Sequence, residues 1–171
     1  MMSITPRTKV PPLDLPTVGG GRFDLGSKQP QSFSMLVYYR GLHCPICKPY
    51  LRDLDRKLEE FTKRGVEVVA ISTDNRDRAE RTKKDWDIGN LPIAYDLSID
   101  QARQWGLFVS SSIKADEPPL FAEPGLFLIQ SDGTLYCSSV QTMPFARPSF
   151  ADVLQAVTFV TEKDYPARGE A

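Results

Sequence analysis

One stretch constrains this chain more than any other: Arg40-Gly41-Leu42-His43-Cys44-Pro45-Ile46-Cys47-Lys48, in which two cysteines stand three residues apart. Residues 32–39 before it form a mostly apolar run, the pattern of a strand covered on both faces. Residues 46–63 after it place Cys47, Leu51, Leu54, Leu58 and Phe61 at steps of four and three, which is one apolar stripe of a helix. The sulfur pair therefore belongs at a strand-to-helix junction. A helix N-terminus carries roughly half a positive charge and unpaired amide donors. A cysteine there, with cations nearby, falls from a pKa of about 8.5 to about 3.5–7.5. Arg40, Lys48 and His43 surround the pair in sequence. Cys44, at or just before the first turn, is expected to be the thiolate, and Cys47, one turn in, the more buried partner. Helical spacing sets their Cα atoms about 5–5.5 Å apart, inside the range a disulfide needs.

A CxxC pair also occurs in zinc sites and as inert structural cysteines. Zinc prefers four ligands, and beyond the pair only His43 and Cys137 offer themselves. A CxxC within a strand–helix–strand pattern reads instead as redox-active, with no metal or other cofactor expected. Cys137 lies in a strand-like segment and reads as a small core residue. The 171 residues suit one domain, with 1–9 and 165–171 expected to be loose tails. A net charge of −1 without a basic block argues against nucleic acid. No apolar run reaches membrane-span length, and the proline-rich start lacks a signal-peptide core, so a cytoplasmic location is expected. Thiols stay reduced there, which favours a catalytic over a structural pair.

In chain order, residues 1–31 hold five prolines and the run Gly19-Gly20-Gly21, read as loop with one short hairpin of 16–18 against 22–25. A phosphate loop would need a lysine and a following helix, and neither is present. Gly65 closes the first helix, and 66–72 reads as a second buried strand. Strand, helix and strand in so short a span make a parallel βαβ unit. Further helices are expected at 74–86, 99–106 and 149–161, and a short strand at 91–95. Residues 108–123 read as an irregular loop, and two strands, 126–129 and 134–138, meet at Asp132-Gly133, a strong hairpin signal. Pro45 suits the first helical position, whereas Pro49 would then break a backbone bond, so either the helix starts later or its first turn is loosely held.

The summed order is similar to a thioredoxin-like fold: α/β, a central mixed sheet with helices on both faces, and an N-terminal extension. The block Tyr38-Tyr39-Arg40-Gly41-Leu42-His43-Cys44-Pro45-Ile46-Cys47 resembles the YRGxxCPxC block of peroxiredoxin-like proteins of the alkyl hydroperoxide reductase/thiol-specific antioxidant (AhpC/TSA) family. Residues 68–72 and 125–129, with Asp132-Gly133 following, resemble its later strands. The chain departs from the family in two places. Where family peroxidases carry Pro-x-x-x-Thr/Ser-x-x-Cys, this chain has Val37 and Gly41, and only Cys44 matches. Where they carry an arginine before the strand at Leu126, it has Pro124, which resembles the cis-proline that faces the CxxC of thioredoxins. Arg40 and Arg147 are the candidates for the missing cation, and His43 for a neighbour that tunes Cys44.

The resemblance implies an antioxidant oxidoreductase, a thiol-dependent peroxidase cycling a Cys44–Cys47 dithiol and disulfide. Its substrate is a hydroperoxide, and its electron donor is of thioredoxin or glutathione type. The CxxC and Pro124 support a second reading, a thioredoxin-like reductase acting on protein disulfides. A non-enzymatic redox sensor that binds a partner in one oxidation state is a third. Exposed aromatic residues suggest a homodimer.

Overall fold

The fold is known from a computed structural model that describes residues 3–171. A five-stranded mixed sheet forms its centre, in the order β5-β4-β3-β8-β9. The middle strand, β3 (Phe33–Tyr38), pairs in parallel with β4 (Val66–Ile71) and antiparallel with β8 (Gly125–Ile129). β4 runs parallel to the short β5 (Ile93–Ala94), and β8 runs antiparallel to β9 (Leu135–Val140). Side chains alternate across β3. Phe33, Met35 and Val37 enter one core with α1 (Cys47–Lys63), α2 (Arg76–Asp85) and α4 (Phe150–Lys163). Leu36 and Tyr38 enter the other with α3 (Ile99–Gln104) and the N-terminal hairpin. Helices thus cover both faces, as expected, which is why the central strands are apolar on both sides.

The N-terminal hairpin pairs β1 (Asp14–Pro16) with β2 (Arg22–Asp24), slightly displaced from its expected place. Gly19, Gly20 and Gly21 carry φ of +92°, +96° and +84° in the turn, a conformation that side chains resist. The expectation of an irregular 108–123 is corrected: β6 (Val109–Ser111) and β7 (Leu120–Ala122) form a two-stranded antiparallel hairpin. Strands of three residues give too little alternation to be seen in sequence, and Pro118-Pro119 in the connection reads as loop.

The first helix also needs correction. α1 begins at Cys47, so Cys47 is its first residue rather than one turn in, and Ile46 caps it without a side-chain bond. Pro49 then falls at the third helical position, where an amide has no intrahelical partner to lose. Of the two alternatives for Pro49, the later start is the one found. The apolar stripe holds, with Cys47, Leu51, Leu54 and Phe61 fully buried and Leu58 partly so. α2 starts after residue 75 because the Asn75 side chain accepts from the Arg78 amide at 3.0 Å. Asp74 stays outside the helix and turns inward, 1% exposed.

The end stretches expected to be loose make specific contacts; residues 1 and 2 lie outside the described residues. The Arg7 amide donates to the Leu135 carbonyl at 2.8 Å, and its guanidinium donates twice to the Ala167 carbonyl, at 3.0 and 2.7 Å. Tyr136 donates its hydroxyl to the Tyr165 carbonyl at 2.8 Å. No described helix is long and apolar enough to cross a membrane.

Candidate active site

Cys44 sits in the turn between β3 and α1. Its amide donates to the Gly41 carbonyl at 3.1 Å, and the Cys47 amide donates to the Cys44 carbonyl at 3.2 Å. The two sulfurs are within hydrogen-bonding reach and both are free thiols. Their titrations part widely. The Cys44 thiol is lowered to about 7, first because the Cys47 thiol and then its backbone N–H donate toward the sulfur, aided by Arg147 and Arg40 and opposed by burial. The Cys47 thiol is pushed well above its usual value, first by burial and then by donating to its neighbour. One sulfur is therefore ionised near neutral pH and the other keeps its proton. The Cys47 thiol, more than either arginine, lowers the Cys44 value.

Neither sulfur is open to solvent: Cys44 is 1% exposed and Cys47 0%. A cleft of about 500 Å³ opens beside the turn, lined by Leu42, His43, Arg78, Arg81 and residues 115–118.

The turn itself is pinned from two directions. From the α2 side, Asp74 accepts the Leu42 amide at 2.8 Å and the Arg78 Nε–H at 3.0 Å. Gly41 has φ +134°, and a Cβ added there would stand 2.8 Å from Asp74 Oδ1. The Asp74 carboxylate therefore fills the space that a threonine side chain at position 41 would need. This accounts for the departure from the family loop seen in sequence. From the hairpin side, Arg40 Nε lies 2.9 Å from one Glu123 oxygen and 3.1 Å from the other, and Ser110 donates to the same carboxylate at 3.1 Å. The Phe121 ring is wedged between them, with the Arg40 guanidinium 4.8 Å and the His43 ring 4.6 Å from its centroid.

Arg147 approaches from the loop before α4. It lies 4.0 Å over the Tyr50 ring, reaches Cys47 Sγ at 3.5 Å and donates to the Ile46 carbonyl at 3.2 Å. Among the described residues no carboxylate lies within 4.0 Å of it, whereas Arg40 and Arg78 are each matched by a buried acid. Of the two arginines expected near the cysteines, Arg147 thus brings an uncompensated charge and Arg40 a shared one. Burial is the first cause that lowers the pKa of His43, with Arg40 and Arg78 adding to it and Asp74 opposing. Pro124 lines a small hollow with Tyr50 and Arg147. No cis peptide bond occurs among the described residues. The cis geometry suggested for Pro124 is therefore not found, since its place is set by the β7–β8 bend and by the Gln141 amide donating to its carbonyl at 3.0 Å.

Sequence reasoning did not single out Glu123, Asp74, Phe121 or Tyr50. An isolated acid in a sequence reads as surface, and only the fold carries Glu123 and Asp74 inside, at 2% and 1% exposure. Cys137 is half-buried, and burial raises its thiol to about 11. No group of His, Cys, Asp and Glu suited to a metal occurs among the described residues.

With this geometry in view, the chain was compared with known proteins. No curated protein matches it in sequence. Among solved structures it is similar to a mutant of the peroxiredoxin 6 of Arenicola marina, at 19% identity and a TM-score of 0.81, covering 95% of this chain and 76% of that one. It is similar to the AhpC of Enterococcus faecalis, at 16% identity and a TM-score of 0.76, covering 98% and 99%. A reduced Prx3 of Vibrio vulnificus, in complex with H2O2, aligns at 13% identity and a TM-score of 0.75, covering 90% and 99%. These likenesses speak for the fold. In sequence, residues 6–137 match the AhpC/TSA family, a span that carries the sheet through β8 and both cysteines of the CxxC. The chain belongs to the AhpC/TSA family of thioredoxin-like oxidoreductases.

Proposed function

We propose that the protein is a thiol-dependent peroxidase in which Cys44 is the attacking sulfur and Cys47 the resolving one. The observation that carries this is the split titration of the pair, one thiol lowered to about 7 and its neighbour held protonated, within an AhpC/TSA fold. The Cys44 thiolate attacks the terminal oxygen of a hydroperoxide. The O–O bond breaks, the sulfur becomes a sulfenic acid, and the alkoxide or hydroxide leaves with a proton from solvent. The Cys47 thiol then attacks that sulfur, forming the disulfide and releasing water. A dithiol or two monothiols of the donor return two electrons by exchange. Cys44 is 1% exposed, and the cleft beside His43 is the approach to the turn that bears it.

Stopped-flow oxidation of the reduced protein by H2O2 tests this. The expected rate is well above that of a free thiol of the same pKa, with stoichiometric disulfide. A C47S variant is expected to keep the first step and stop at a sulfenic acid that dimedone traps. A rate equal to that of a free thiol sinks the reading. The CxxC spacing favours one second reading, exchange with protein disulfides, in which Cys44 attacks a substrate disulfide and Cys47 releases the product. Turnover of insulin or of a glutathione mixed disulfide, with a peroxide rate no faster than a free thiol, would select it. In this proposal the donor is of thioredoxin or glutathione type, the protein is cytoplasmic, and the chain pairs as a homodimer; donor-coupled assays, cell fractionation and sedimentation address these in turn.

A further inference from the structure

The β6–β7 hairpin does more than border the site. Phe121 and, in the bend just after the hairpin, Glu123 meet the turn that bears Cys44, and Ser110 supports them by donating to the Glu123 carboxylate. Glu123 is the least expected of them. A carboxylate at 2% exposure gives up most of its hydration, and the Arg40 side chain opposite keeps 23% of its surface in water. An ion pair so placed is seldom retained for stability, since desolvation offsets much of the attraction. Its members here bridge two elements across 83 positions of sequence. One of them is four residues before Cys44, and its charge acts on that sulfur.

We propose that Glu123 is a positioning residue for the reaction at Cys44: its buried carboxylate holds the Arg40 guanidinium against Phe121, and so fixes both the turn and the distance from which that cation acts on the sulfur. The proposal rests on the reading of Cys44 as the attacking sulfur. The charged and titratable groups around the pair are few. Glu123 faces Arg40, Ser110 and, farther off, Glu117, and Cys44 faces Cys47, Arg147 and Arg40. Glu123 thus has two opposed effects on Cys44. It keeps Arg40 in place, which favours the thiolate, and it neutralises part of Arg40's charge, which disfavours it.

The two effects separate by mutation. Glu123→Gln keeps the shape and an acceptor for Arg40 but removes the negative charge. The Cys44 titration, followed by thiolate absorbance, is expected to fall by about half a unit. Glu123→Ala removes the tether, and Arg40 turns to water. The same titration is expected to rise by about half a unit or more, with faster alkylation of Cys44 at equal thiolate fraction. In an Arg40→Gln background the change from Glu to Gln at 123 is expected to move Cys44 by less than about a fifth of a unit, since the cation through which it acts is gone. A residue that only supported the fold would move both variants the same way. If the two shifts share a sign, or both are nil in protein that melts cooperatively, the proposal is overturned. Should the alanine variant not fold, Glu123→Asp keeps the charge while shortening the reach, and an unmoved or lowered titration there counts against the proposal equally. No peroxide enters these measurements. A wild type that reacts sluggishly with H2O2 while its variants shift in opposite directions would sink the peroxidase reading and leave this one standing.

Discussion

The Cys44 sulfur is governed by three neighbours of unlike character: a thiol that donates to it, an arginine balanced by a buried acid, and an arginine that has no carboxylate within 4.0 Å among the described residues and reaches Cys47 instead. With Cys44 lowered to about 7, only the deprotonated form attacks. The oxidation rate is therefore expected to climb about tenfold per pH unit below neutrality and to level off above about pH 8. Stopped-flow runs from pH 5 to 9 check the sign; a rate that is flat or falls with pH contradicts it. Replacing Arg147 with Met removes the uncompensated cation, so the Cys44 titration is expected to rise by about half a unit to one unit. At pH 7 the oxidation rate would then drop several-fold, and would recover at pH 9, where both proteins are ionised. Arg147 was visible in the sequence only as one of two candidate cations, because its approach to Cys47 spans 100 positions. Glu123 was not visible at all, since nothing local marks an acid for burial.

At the scale of elements, the sequence spoke clearly wherever period and composition agreed. The central strands were legible as apolar runs, and α1 as a stripe at steps of four and three. The start of α1 was not, because Pro45 and Pro49 each suit a first turn and only the turn bond from the Cys47 amide to Cys44 settles which one holds it. The β6–β7 hairpin was missed because three-residue strands leave no period to read. That hairpin and the start of α2 together fix the turn at 40–46. Asp74 serves the α2 side through the Leu42 amide and Arg78, with its own side chain fully buried. Asp74→Ala would leave a guanidinium and an amide without their partner, and is expected to cost about 3 kcal/mol. Urea unfolding measures this, and a loss below about 1 kcal/mol would show that the contact is not needed.

Across the whole molecule, the sheet separates chemistry from chain ends. Cys44 follows the C-terminal end of β3, next to Gly125 and Val140 in register, while Ile129 and Leu135 mark the opposite end. It is at that opposite end that Arg7 bonds Leu135, Lys9 bridges Thr134, and Arg7 clasps Ala167. Ala167 is 5% exposed and belongs to the α1 core. Deleting residues 165–171 uncovers that core and frees the Tyr136 hydroxyl. The melting temperature is expected to drop by about 4–8 °C, from a loss near 2 kcal/mol. Calorimetry of the truncated chain checks it, and an unchanged melt would mean that the stretch contributes nothing. The meeting of the two ends so far from the sulfurs has a practical side as well. A label or solid support attached beside Glu170, whose carboxylate lies 3.7 Å from Arg7 at that opposite pole, leaves the thiol-bearing pole turned outward to the solution.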